Sequence, residues 1–360
     1  MTLIAADRAD ATRVPATPSH ATALNAVDVR ELMRHSLRYR DPDDRRAVAQ
    51  LALTLGLYAA CVGALLAGIL AGFWPALLLA LPGGLLLVRL FTVQHDCGHG
   101  SYFSSRRANN AVGRLLSLFT LTPYGYWKRT HALHHGSAGD LGRRGIGDVD
   151  TYTVREFEAL SPRERTLYRL YRHPLVLHVV GPPVYFLGLQ RSPFGQALPA
   201  REAWRSIVGL NAAMAAFYGT LMLVFGVGPV LLAFAPVACV AAWVGAWLFF
   251  VQHQFEHTHW EQSEDWHLQT AALHGSSFYV LPRWLDWLTG HIGLHHIHHL
   301  NSRVPSYRLP ECLAGDERLS RISRLTMRES LGSIGLSLWD EDARRLVSFR
   351  TAHARQVAAA

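Results

Sequence analysis

The sequence predicts an all-α integral membrane protein: four transmembrane helices in two hairpins, carrying a cytoplasmic helical cap. Three observations predict it. Half of the 360 residues are hydrophobic, and they come in blocks. Between Arg46 and Arg89 lie 42 consecutive residues without Asp, Glu, Lys or Arg, and between Arg205 and Glu256 lie 50 more. A bilayer needs about 20 apolar residues per helical span, so each block is long enough for two. The third observation is that histidines cluster outside those blocks, His95 just after the first and His253 at the end of the second.

In chain order, residues 1–25 are rich in Ala, Thr and Pro without a helical period and read as a flexible tail. An amphipathic lead-in, Val27 to Tyr39, runs through Asp41-Pro42-Asp43-Asp44 to the first block, so residues 1–44 form one unit. Gly72-Phe73-Trp74-Pro75 breaks the first block and Gly226-Val227-Gly228-Pro229 the second, marking turns between antiparallel helices. The predicted spans are about 51–71, 75–94, 207–226 and 230–251, within a membrane domain of residues 45–325. Two apolar stretches, Val112 to Tyr126 and Leu175 to Leu189, are too short or too broken to cross and read as interfacial or re-entrant segments. Residues 326–360 read as a C-terminal cytoplasmic tail.

The net charge of +8 favours an anionic partner. The basic residues Arg45, Arg46, Arg106, Arg107, Lys128, Arg129, Arg201 and Arg205 flank the apolar blocks, which points to membrane lipid headgroups and not to nucleic acid. By the positive-inside rule both hairpin turns lie outside, and both termini and the histidines lie in the cytoplasm. Early charges at Asp7, Arg8, Asp10 and Arg13 leave no apolar segment for a cleaved signal. Cys61, Cys97, Cys239 and Cys312 form no CxxC pair and read as reduced thiols.

Among 20 histidines, spacing is the informative property. His95 and His99 form HxxxH; His131, His134 and His135 form HxxHH; His295, His298 and His299 form a second HxxHH. Residues three and four apart share a helix face, so each box aims two or three imidazoles at one locus. Eight such ligands plus an auxiliary one exceed a single four-coordinate zinc and imply two metals. Two iron ions, cycling between Fe2+ and Fe3+, suit a site that must activate oxygen against an unactivated C–H bond, which zinc cannot do. His253 is the expected auxiliary ligand and His257, one turn on, a possible additional one; His296 points off the box face. Ligating imidazoles donate their second N–H to a carboxylate or carbonyl. Asp96, Glu256, Asp148, Asp150 and His291 are the candidates for such support, with a turn or helix cap an equal reading for Asp148 and Asp150. Beyond the metal ligands no nucleophile or acid–base dyad is needed.

At the boxes HDCGH (95–99), HALHH (131–135) and HHIHHLNSRVPSYRL (from 295), the chain resembles the membrane fatty acid desaturases, most closely the bacterial omega-6 (delta-12) acyl-lipid branch. The segments 144–150 and 275–279 share the likeness, which covers about Arg45 to Leu325. The resemblance implies a four-helix membrane bundle under a cap holding a histidine-ligated di-iron centre. It also implies oxygen-dependent insertion of a cis double bond into a fatty acyl chain carried on a lipid, coenzyme A or a carrier protein. His291 stands where relatives tend to have Asn. Leu81-Pro82-Gly83-Gly84 lies inside a span, in place of the HPGG that marks a fused cytochrome b5 domain, so the electron donor is expected to be a separate ferredoxin or cytochrome b5 with its reductase. A bacterial inner membrane is the expected location.

A hydroxylase, acetylenase or ketolase would use the same boxes. A membrane metal transporter would instead place its histidines at mid-membrane depth. A zinc hydrolase would need HExxH, which this sequence lacks.

Overall fold

The computed structural model describes residues 26–145, 147–192 and 199–359, so the predicted tail of residues 1–25 lies outside them. Four helices are long and apolar enough to cross a membrane: Asp44–Leu70, Trp74–His99, Ala200–Phe225 and Val227–His253. They are the two predicted hairpins, each extended past its span at the histidine-bearing end.

After the lead-in helix α1 (Ala26–Ser36), α2 (Asp44–Leu70) starts where Asp43 accepts hydrogen bonds at 3.0 Å from the amides of Arg45 and Arg46. These satisfy donors that a helix start leaves unpaired. Past the left-handed Gly72 (φ 72°) a 3-10 turn feeds α3 (Ala80–His99). That helix stops directly behind the first histidine box because Gly100 takes φ 69° as its cap. Amphipathic α4 (Arg106–Thr120) and then α5 (Tyr124–Ser137) follow. The Phe119 ring near the tip of α4 meets Tyr58, 14 residues into α2, at 5.7 Å, so α4 reaches roughly 20 Å down the bundle without crossing it.

The second hairpin is α6 (Ala200–Phe225) and α7 (Val227–His253). The broken stretch before it, Leu175–Val180 and Gly181–Leu187, lies along α7, where Trp243 Nε1 donates to the Val179 carbonyl at 2.8 Å. The innermost helix is α3, whose apolar window is 61% buried; that of α6 is 11% buried, which leaves Leu223 and Val224 for lipid.

Where α3 crosses α7, small residues let the backbones approach, as expected where lipid is as apolar as leucine and contact must come from packing. A Cβ on Gly84 would sit 2.4 Å from Val240 Cγ1 and 3.2 Å from the Ala241 amide nitrogen. The Pro-Gly-Gly inside the span thus serves helix contact. Gly84→Val is expected to destabilise the protein by about 1–3 kcal/mol through overpacking, seen as a lower unfolding temperature in detergent; an unchanged temperature would refute the tight crossing.

The remaining helices are short, and one, α8 (His295–Leu300), carries the third box. The fold departs from all-α in two small sheets. β2 (Phe278–Val280) pairs parallel with β3 (Arg324–Thr326), and β4 (Leu338–Asp340) lies between β1 (Tyr152–Thr153) and antiparallel β5 (Arg345–Val347). Residues 338–347 therefore pack on the histidine-bearing end as part of the body.

Candidate metal centre

Three helix ends and one short helix converge here. α3 brings His95 and His99, α5 brings His131, His134 and His135, α7 ends in His253, and α8 brings His295, His298 and His299. Their nitrogens fall into two groups, each with all members within 4.8 Å: His95, His99, His131, His135 and His298 in one, and His134, His253, His295 and His299 in the other. These are the nine histidines proposed from the sequence as ligands.

Each HxxHH box divides between the two groups. In α5 the i,i+4 pair His131 and His135 serves the first and His134 the second; in α8 the pair His295 and His299 serves the second and His298 the first. The expectation that one box aims at one locus is corrected accordingly. The i+3 residue is rotated from its i+4 neighbour by about 100°, enough to reach an adjacent position.

The donor set fits metal. Nε2 atoms face one another at 3.0 Å (His253 and His295), 3.1 Å (His131 and His135; His135 and His298) and 3.2 Å (His134 and His253). Two imidazole nitrogens bound at about 2.0–2.1 Å to one ion at right angles sit roughly 3 Å apart. The Nε2 atoms of His99 and His299 are buried with no hydrogen-bond partner among the described residues, which a metal would supply. Burial pulls the imidazoles of His131, His135, His295, His298 and His299 well below the usual histidine range, and neighbouring histidines push the same way. They are held neutral, the form that binds metal.

The opposite nitrogens are anchored. Asp148 Oδ1 lies 2.6 Å from His134 Nδ1, Asp96 Oδ1 lies 3.2 Å from His95 Nδ1, and the Gly275 carbonyl faces His253 Nδ1 at 3.1 Å. Asp96 is itself fixed by the Ser306 amide at 2.6 Å. The hydrogen bonds at His95 and His253 set the tautomer and turn Nε2 inward; the 2.6 Å approach of Asp148 to His134 is a close charge contact outside hydrogen-bond geometry. Trp127 stacks on His131 at 4.6 Å, and Gly98 leaves room for it, since a Cβ there would lie 2.9 Å from the indole. Phe249 packs against His134 and His253 at 5.3 and 5.4 Å.

The other candidates stand apart from both groups. His257 is exposed, and Glu256 is exposed and paired with Arg345 at 2.6 Å. His291, in a left-handed conformation (φ 62°), pairs with Asp286 at 2.6 Å. The Asp150 carboxylate makes no ion pair or hydrogen bond with a grouped histidine among the described residues, while its backbone carbonyl accepts from Arg172 at 3.0 Å. His257→Ala is expected to leave the metal content of the purified protein unchanged, measured by atomic absorption; a halved content would restore it as a ligand.

Residues missed from the sequence are Gly275, Phe249 and Arg172. Buried Arg172 ties Gln254, at the end of α7, to Thr151 in the segment that carries Asp148. Gly275 opens the Gly-Ser-Ser-Phe-Tyr segment that shares the family likeness, but a carbonyl acceptor leaves no side-chain signal. The nine histidines lie at the ends of the hairpin helices and in the cap, away from mid-span, which is not how a permeation path would place them.

Residues 70–330 match the family described as fatty acid desaturase. The chain is 40% identical over 264 residues to a fatty acid desaturase of Bacillus subtilis (strain 168), covering 73% of this chain and 74% of that one. It is 29% identical over 250 residues to a probable fatty acid desaturase of Sorghum bicolor, covering 63% and 60%. It is 31% identical over 240 residues to an sn-1 acyl-lipid omega-3 desaturase (ferredoxin) of Synechocystis sp., covering 63% of each. The shared stretch thus spans under two thirds of the Sorghum and Synechocystis proteins.

Proposed function

The chain belongs to the fatty acid desaturase family, and from that premise we propose that it inserts a cis double bond into a fatty acyl chain at a pair of iron ions held by its nine grouped histidines. The observation that carries the proposal is the two groups of converging, buried imidazole nitrogens, with Asp96, Asp148 and the Gly275 carbonyl behind His95, His134 and His253. Iron held there would supply the oxygen-activating redox chemistry that no side chain can. In the net reaction two hydrogens leave adjacent methylenes, and with O2, two electrons and two protons they give the alkene and two waters.

The residues of the chain do the positioning. His95, His99, His131, His135 and His298 would hold one ion, and His134, His253, His295 and His299 the other. Asp96 and the Gly275 carbonyl hold the Nδ1 protons of His95 and His253 and so fix which nitrogen would face a metal, and the Asp148 carboxylate lies against His134 Nδ1 as a close charged neighbour. Trp127 and Phe249 wall the imidazoles with apolar rings, and a dry wall lets the protein set which carbons meet the site.

The substrate in this reading is a monounsaturated acyl lipid, and the new bond is of the omega-6 (delta-12) type; the likeness of the boxes to that branch supports it. The relative from Synechocystis carries omega-3 in its name, and a new bond at the omega-3 position would replace the omega-6 assignment. Electrons come from a separate carrier with its reductase; the same relative's name specifies ferredoxin. The basic residues beside the spans support a cytoplasmic face for the site, in a bacterial inner membrane. Product analysis with purified protein, reductase, ferredoxin and an oleoyl lipid tests the reading: a dienoyl product supports it, and an alcohol without diene would make the protein a hydroxylase.

A further inference from the structure

We propose that the protein holds one bilayer phospholipid at a second site, in the cavity bounded by α6, α7, α2 and the tip of α4, with an acyl chain inside the cavity and the phosphate on Arg191. The cavity measures about 500 Å³ and is lined almost wholly by apolar side chains, among them Leu87, Phe119, Met222 and Val230. That is within the ~300–1,000 Å³ of ordinary ligand sites. It opens beside α6, the helix with least protein cover, so surrounding lipid can reach it.

The one charged group in the lining is Arg191, paired with Asn211; Tyr58 and Tyr218 are the other polar residues there. Arg191 Nε donates to the Leu187 carbonyl at 3.2 Å and Nη2 to the Leu121 carbonyl at 3.0 Å; Nη1 donates to Asn211 Oδ1, and Nη2 also faces Met214 Sδ at 3.4 Å. These contacts fix the guanidinium without neutralising it. No ion pair joins Arg191 to an Asp or Glu among the described residues, and the stretch from Ser192 to Pro199 contains neither residue type. An unneutralised charge beside an apolar cavity is costly at membrane depth. Asn211 is the sixth residue of the uncharged run that begins after Arg205. That places Arg191 roughly 6–9 Å below the interface by helix rise, within reach of a headgroup for a long side chain. A phosphate matches a guanidinium in charge and geometry.

The cavity is separate from the histidine groups. Leu87 is its contribution from α3, and His95 lies eight residues further, roughly 12 Å along the helix. Phe91, on the same face between them, packs edge-on against Trp127 at 5.3 Å and closes the interval.

The test uses the full-length metal-loaded protein in detergent and native mass spectrometry, with dipalmitoyl phosphatidylglycerol, dipalmitoyl phosphatidylcholine and free oleate as probes. Wild type is expected to retain one phosphatidylglycerol. Arg191→Leu should weaken that binding roughly 10-fold or more, the scale of a hydrogen-bonded charge. Gly219→Leu should exclude the lipid: Gly219 lines the cavity and an added Cβ meets nothing within 4 Å, so the variant fills space without a clash. Equal melting temperatures of the three proteins establish that the variants are folded. Equal retention by wild type and either variant would overturn the assignment, as would displacement of phosphatidylglycerol by equimolar oleate.

Discussion

His298→Ala is expected to cut conversion of the acyl chain at least roughly 100-fold, because loss of a ligand should exceed the 10–100-fold cost of losing a partner behind one. His298 Nε2 lies 3.1 Å from His135 Nε2, within the five-histidine group. Its removal should not unfold the cap. α8 is held from its other side by Ile297 and Leu300 against Leu32 of α1, and by His296 Nε2 donating to the Leu319 carbonyl at 2.9 Å. The expected variant therefore reaches the membrane in normal amount, carries less iron and makes no product. His131→Ala should behave alike. Normal turnover in either would remove that histidine from the ligand set.

Asp148→Ala is expected to lower conversion and iron affinity together by about 10–100-fold. Its carboxylate stands 2.6 Å from Nδ1 of His134, a fully buried ring, and its charge favours a proton on that nitrogen, leaving Nε2 for the neighbouring histidines. Asp150→Asn is the control, since no grouped histidine faces that carboxylate and conversion should remain near wild type. Iron titration and acyl-chain analysis on both variants check the pair. Equal losses would mean that the segment is needed for its turn and not for Asp148.

The contrast between Asp148 and Asp150 marks where sequence alone stops. Two carboxylates one residue apart are equivalent in the string; only the tie from Arg172 to Thr151 and Gln254 turns one toward His134. The hairpins were legible because uncharged runs of 42 and 50 residues are far longer than a soluble core helix needs, and the boxes because imidazoles at i, i+3 and i+4 share a face. How each box divides between two groups was not legible, since it depends on how α5 and α8 cross. The support of His253 by a backbone carbonyl carries no side-chain signature. The strands Tyr152–Thr153, Leu338–Asp340 and Arg345–Val347 are two or three residues long, too short for any alternation to show. The role of α1 was half visible. Its amphipathic pattern was plain, but its target, the back of the third box, is a contact across more than 260 residues.

The most direct test is fatty acid profiling by gas chromatography with mass spectrometry in a host without polyunsaturated lipids, expressing the wild-type chain or His298→Ala alongside ferredoxin and its reductase. The wild type is predicted to yield a new diene that the variant does not. An unchanged profile from iron-loaded wild type, with oleoyl lipid and the electron donor present, would contradict the proposed desaturation.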